Sequence, residues 1–340
     1  METRENRVSV SFSRGIFLTR FGSPLEVVEE RAVMVPQPCV GEVLIGVELA
    51  PINPADLNVL EGKYGTLPAL PCVPGIEGVG RVLEVGAGLG VAGEELEGKR
   101  VLLPHGFGSW RSHGTALASE LVVVPEAVPV EQASMLRINP ATALVLLEHF
   151  VELKPGEWIV QNAANSGVGR SVIQIARACG WRTINVVRRA GLGEELRAIG
   201  ADAVLESSED LGARIAGITG GVPPRLGLNA VGGESALALA KTLAESGVLV
   251  TYGAMGLQPV RIPNGLLIFK DLAMRGLWIS RWYKNATLSQ RYNLFERLFH
   301  WASTGVLHTP VEAIYSLENS REAIAHAMRD GRGGKVLFKG

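Results

Sequence analysis

Trp158-Ile159-Val160-Gln161 runs into Asn162-Ala163-Ala164-Asn165-Ser166-Gly167-Val168-Gly169, and from there the chain passes directly into an apolar-periodic stretch that reaches Cys179. The first four residues have the length and apolarity of a buried strand. Beyond Gly167, Val168, Val172, Ile175, Ala176 and Cys179 recur near helical spacing, so the segment predicts strand, small-residue turn, and a helix over Gly167 to Cys179. Backbone amides in the first turn of such a helix suit a pyrophosphate. The strict G-x-G-x-x-G order is not kept: its first two glycines fall on Ala164 and Ser166, Gly169 is the third, and Gly167 is an extra. Small residues there still allow close approach, although an ordinary glycine-rich strand-to-helix turn would use the same residues.

Downstream the pattern repeats. Apolar runs at 183–187, 203–205, 226–228, 247–251 and 273–279 alternate with helical stretches. Strand and helix alternating five times predict an α/β fold with a doubly wound parallel sheet, whose ligands lie at the carboxyl ends of its strands. The second run ends in Arg188-Arg189, where an NAD enzyme would place an acidic residue for the ribose 2'-hydroxyl. Two guanidiniums suit a 2'-phosphate through bidentate, charge-assisted bonds, which points to NADP(H); a solvated basic pair is the alternative.

Upstream, to about residue 136, short β-like runs such as 42–47 and 80–85 are broken by Gly and Pro, the texture of an all-β domain. Past Pro310 come a helical stretch over 320–329, a turn at 331–334 and a last strand at 335–339 that is free to rejoin the first domain. The division expected is 1–136 with 308–340, and 137–307. Glycine supplies 41 of 340 residues, about 12% against about 7% on average, which fits turns and close backbone approaches. With 33 basic and 34 acidic residues the formal charge is −1, so composition provides no footprint for nucleic acid or an anionic membrane. Cys39, Cys72 and Cys179 are too few and scattered for a disulfide framework, which favours a reducing, cytoplasmic setting. The start, Met1 to Gly15, lacks the apolar core of a signal peptide, and no window approaches the length of a membrane span.

Several further stretches carry a resemblance: 51–58 (Pro-Ile-Asn-Pro-Ala-Asp-Leu-Asn), Gly62-Lys63-Tyr64-Gly65, 74–82, 153–157, 196–202 and Gly334-Lys335-Val336. Together they resemble the medium-chain dehydrogenase/reductase superfamily along nearly the whole chain. The resemblance implies a GroES-like β domain, completed by the C-terminal tail, plus a Rossmann domain. Zinc-dependent members carry Gly-His-Glu where this chain has Gly75-Ile76-Glu77, and their cysteine ligands are missing too, so no catalytic metal is expected. Within the zinc-free branch the chain is most similar to mitochondrial-type trans-2-enoyl thioester reductases, through 52–58 with 62–68, Gly108-Ser109-Trp110-Arg111, 138–143, the glycine loop with 184–188, and 267–271 with 275–278.

What this resemblance implies is NADPH-dependent reduction of an enoyl thioester of coenzyme A or acyl carrier protein by a homodimer joined through the apolar edge at 272–279. A zinc-free NADPH:quinone or other enone reductase is the alternative. It also implies catalytic Tyr64 and a pocket-lining Trp278, with NADPH held by Asn139, Asn165, Ser166, Gly167, Val168, Arg188, Arg189, Tyr252, Gly253, Ala254, Met255, Leu277, Ile279 and Lys335. Two departures are visible: Ala190 replaces a later arginine of the basic cluster, and Ile76 replaces the acidic or amide residue before Glu77. Taken alone, Tyr64 and Trp278 would also pass as half-buried packing aromatics. The tyrosine role has a physical basis, because a phenol can stabilise a developing oxyanion and take part in proton delivery without a metal.

Overall fold

The computed structural model describes residues 12–208 and 210–340, so most of the Met1 to Gly15 stretch lies outside the described residues. The chain divides into two compact units, one running to Arg137 and resuming at Thr309–Gly340, the other Ile138–His308.

In the first unit β1 (Phe12–Leu18) pairs antiparallel with β2 (Val28–Met34). Then come β3 (Glu42–Pro51), α1 (Pro54–Leu60), β4 (Val79–Val85), α2 (Gly90–Glu94), β5 (Arg100–Leu102), β6 (His113–Leu117), β7 (Val122–Val123) and α3 (Val130–Ser134). β3 is the longest strand and is buried along most of its length; it pairs antiparallel with both β4 and β6. Apolar residues there alternate only weakly, as expected for a strand covered on both faces.

The second unit opens with α4 (Asn139–Glu148). It continues through β8 (Trp158–Gln161), α5 (Gly167–Ala178), β9 (Arg182–Val187), α6 (Gly193–Ala198), β10 (Ala203–Glu206), α7 (Leu211–Thr219), β11 (Leu226–Asn229), α8 (Gly233–Thr242), β12 (Val248–Thr251), α9 (Asn264–Phe269), β13 (Ala273–Gly276), α10 (Ile279–Asn285) and α11 (Leu288–Ser303). Its six strands are all parallel, in the order β10-β9-β8-β11-β12-β13. Chain order reverses between β8 and β11, the switch point at which doubly wound sheets open a ligand crevice. Val160, Ile184, Val186, Leu239, Leu243 and Leu249 fill the core of this unit. One expectation is corrected: the sixth strand stops at Gly276 rather than running to 279. Ile279, Ser280 and Tyr283 are buried at a spacing of one and four, so the helical period takes over there and leaves Trp278 extended just ahead of α10.

The chain then returns to the first unit with β14 (Val311–Ser316), α12 (Ser320–Ala327) and β15 (Lys335–Lys339). β15 pairs parallel with β14 and antiparallel with β3, Leu337 facing Pro51, so the tail does rejoin the β domain. Trp110, fully buried, meets Phe338 of β15 edge-to-face at 5.1 Å. Removing either aromatic would open the core that joins tail to sheet.

Candidate active site

The glycine loop lies where the sheet topology places a ligand. Gln161 closes β8, Ala163 adopts a left-handed backbone (φ 48°), and Ser166 caps α5 by accepting the Gly169 N–H at 3.1 Å. The N–H groups of Gly167 and Val168, in the first turn, have no acceptor within the helix. A Cβ on Gly169 would lie 2.5 Å from the Ala164 carbonyl oxygen and 2.7 Å from that of Ala163, both backbone atoms that cannot give way cheaply. Gly169→Ala should therefore cost about 1–3 kcal/mol of stability, read as a lowered Tm, and distort the loop enough to weaken nucleotide binding. Unchanged melting and binding would show that the loop has slack.

The residues present fit a dinucleotide. Asn139 at the start of α4 stands over the loop, its Nδ2 3.1 Å from where a Gly167 Cβ would be. The Tyr252 hydroxyl, just past β12, is buried beside that of Ser166 yet makes no hydrogen bond of normal geometry. Burial pushes its pKa up, so it remains a donor at neutral pH. A buried, unpartnered hydroxyl at a loop with open amides is suited to a ligand oxygen. Gly253 leaves no more than 3.1 Å between its would-be Cβ and the Ala230 carbonyl; Ala254 and Met255 beyond it are exposed. The Leu277 N–H bonds the Thr251 carbonyl at 3.0 Å, which carries the chain across the same strand ends, whereas Ile279 turns into the core. Arg188 and Arg189 are exposed directly after β9 and form no ion pair among the described residues, so both guanidiniums suit a 2'-phosphate.

In the first unit, Tyr64 is half-buried in the turn after α1 and its ring packs on the core of the β domain. Gly62 permits this turn: its φ is +73° and a Cβ would press on Phe21 at 3.0 Å. Lys335, at the start of β15, is buried within a polar cluster. Its ammonium donates to Asn53 Oδ1, while Asn53 Nδ2 donates to Glu77 Oε1 at 2.8 Å. The Asp56 carboxylate accepts the N–H of Asn53 at 2.8 Å and of Ile76 at 2.9 Å.

Desolvation pushes the Asp56 carboxyl up to about 7, against the opposing effect of its two backbone donors. Desolvation likewise pulls the Lys335 ammonium down to about 8, opposed by Glu77 and Asp56. A carboxyl raised in the folded state contributes stability that is full below its usual value of 3.8 and is lost as pH rises through about 7. The Tm advantage of the wild type over Asp56→Asn should therefore shrink between about pH 4 and about pH 7 and level off above that; a constant difference would mean that Asp56 is ionised throughout.

Residues 40–132 match the family described as alcohol dehydrogenase GroES-like domain, and residues 167–295 that described as zinc-binding dehydrogenase. Along 96% of its length the chain is 37% identical to the mitochondrial enoyl-[acyl-carrier-protein] reductase of Rattus norvegicus, covering 90% of that protein. The chain belongs to the enoyl thioester reductase branch of the medium-chain dehydrogenase/reductases. In structure it matches the mitochondrial 2-enoyl thioester reductase Etr1p/Etr2p heterodimer of Candida tropicalis with a TM-score of 0.88 at 27% identity, over 97% of this chain and 100% of that one. Etr1p with NADP and crotonyl-CoA gives 0.87 at 26% identity over the same shares. A candidate NADPH:quinone reductase from Bacillus thuringiensis gives 0.89 at 26% identity, over 97% and 99%.

Within this superfamily zinc is common, but the residues here do not fit it. Ile76 stands at the histidine position, and among the described residues no group of three or more His, Cys, Asp or Glu could hold a metal ion. Zinc needs three or four such ligands on one centre, so no step is derived through it.

Asn162 and Asn229 also stand at strand ends, although their sequence context did not single them out. Both are fully buried, at the carboxyl ends of β8 and β11, and their side chains bond each other at 2.8 Å. The available signal was an amide terminating an otherwise apolar strand, twice, in Val160-Gln161-Asn162 and Gly227-Leu228-Asn229. A buried amide must be satisfied, which makes it a marker for a designed network rather than a solvated strand end.

Proposed function

We propose that this protein reduces the C2–C3 double bond of trans-2-enoyl thioesters, carried on coenzyme A or acyl carrier protein, with NADPH. Similarity along 96% of the chain to an enoyl-[acyl-carrier-protein] reductase carries this reading. It rests on a loop with no room for a Cβ at Gly169 and a free basic pair after β9. NADPH, when bound, supplies a hydride to C3. The Gly167 and Val168 amides together with Asn165, Ser166 and Tyr252 would hold the pyrophosphate, and Arg188 and Arg189 the 2'-phosphate. Asn139, Gly253 to Met255 and Leu277 would complete the cofactor's surroundings, and Trp278 would wall the acyl pocket. Tyr64 donates a hydrogen bond to the thioester oxygen as it gains negative charge, and its hydroxyl takes part in delivering the proton to C2.

A deuterium label tests the chemistry. With NADPH deuterated at the transferred position and trans-2-hexenoyl-CoA as substrate, the hexanoyl product should carry the label at C3 and a solvent hydrogen at C2. A label at C2, or none in the product, would overturn the assignment.

The quinone reductase reading is favoured by one observation, the TM-score of 0.89 to the Bacillus thuringiensis protein. As to assembly, the reading favours a homodimer through β13. That strand ends the sheet with one edge unpaired, and Ile268, Phe269 and Met274 around it are exposed.

A further inference from the structure

We propose that Asn162 and Asn229 act as positioning residues for NADPH, clamping the phosphate loop to the strand ends that face the rest of the cofactor. The inference rests on the reading that this unit binds NADPH at the carboxyl ends of β8, β11 and β12.

Backbone donors determine the orientation of both amides. The Ala230 N–H points at Asn162 Oδ1 at 2.7 Å, so this oxygen must face β11 and Nδ2 must face the other way. The N–H groups of Val231 and Gly232 point at Asn229 Oδ1 at 3.1 and 3.0 Å. Asn162 Nδ2 can then donate to Asn229 Oδ1 at 2.8 Å and to Ser235 Oγ at 3.0 Å, and Asn229 Nδ2 donates to Thr251 Oγ1 at 3.0 Å. Every polar atom of the two side chains is therefore used, in a fully buried site.

Each contact reaches a segment that the cofactor needs. Asn162 is the first residue of the phosphate loop. Ala230, which it holds by the N–H, presents its carbonyl to the Met255 N–H at 2.9 Å, and the Asn229 carbonyl, in the same peptide as that N–H, accepts the Tyr252 N–H at 3.0 Å. One amide pair thus sets the distance from the pyrophosphate loop to Tyr252–Met255. Nothing in this network touches Arg188 or Arg189, so a disturbance should weaken NADPH and NADH alike.

The two amides answer differently to an isosteric acid. Asp at 162 turns an acceptor toward the acceptor Asn229 Oδ1, which already holds two backbone donors and cannot rotate. Asp at 229 keeps all three donors on Oδ1, and the Thr251 hydroxyl can rotate to donate to the other oxygen. Asn162→Asp should raise the NADPH Kd, measured by titration calorimetry well below Tm, about tenfold, the usual cost of one frustrated buried bond. It should leave the NADPH-to-NADH Kd ratio at the wild-type value. Asn229→Asp should raise the Kd severalfold less. A purely structural pair would lower Tm in these variants and leave Kd in place. If Asn162→Asp does not fold, Thr251→Val decides: it strands Asn229 Nδ2 without altering shape and should raise the Kd about three- to tenfold. Wild-type Kd in folded Asn162→Asp, an equal or larger effect of Asn229→Asp, or wild-type Kd in Thr251→Val if that variant must decide, would overturn the clamp. Failure of the wild type itself to bind NADPH would instead overturn the reading on which the clamp rests.

Discussion

Tyr64→Phe lowers the kcat for a trans-2-enoyl thioester about 10²- to 10³-fold, the usual loss when one donor to a developing oxyanion is removed. The NADPH Kd should stay at its wild-type value, because the proposed role of Tyr64 is on the thioester and not on the cofactor. The substitution removes one oxygen and keeps the half-buried ring that packs against the core of the β domain, so that packing is retained. Single-turnover rates at saturating NADPH, beside a Kd titration, separate the two effects. Unchanged turnover would move the oxyanion role away from Tyr64 and leave it a packing aromatic.

The second large effect belongs to the basic pair. Arg188→Ala combined with Arg189→Ala raises the NADPH Kd by about 10- to 100-fold, since each guanidinium contributes a charge-assisted hydrogen bond to the 2'-phosphate. Exposure and salt screening place the effect toward the lower end of that range. NADH, which lacks that phosphate, binds with unchanged affinity. Equal weakening of both cofactors would mean that the arginines hold the loop instead. On the proposed reading the double variant should lose most of its preference for NADPH over NADH.

Much of the fold could be read from residue pattern. β8, β15 and the start of α5 lie where apolar periodicity places them, because short buried strands and an amphipathic helix leave strong local signatures. The end of β13 did not follow, since Leu277, Trp278 and Ile279 are as apolar as the strand before them. What ends the strand is a helix whose buried face, Ile279, Ser280 and Tyr283, packs at long range. For the candidate site, the phosphate loop and arginine pair could be proposed from the sequence because their chemistry is local. Tyr64 and Lys335 came only through family resemblance: a tyrosine in a turn and a lysine opening a strand have no local mark of function. The Asn53–Glu77–Lys335 cluster joins residues up to 282 positions apart, and the Asn162–Asn229 pair spans 67. No local pattern can report contacts of that kind.

The central claim is that the acceptor is an enoyl thioester and the donor is NADPH. Initial rates of NADPH oxidation with trans-2-hexenoyl-CoA, run beside the same reaction with NADH and beside a quinone acceptor, test it most directly. Rapid thioester reduction that is selective for NADPH, with slow quinone turnover, is the expected result. Rapid quinone reduction with no saturated thioester formed would contradict it, retaining the fold and the cofactor but assigning the enzyme a different acceptor.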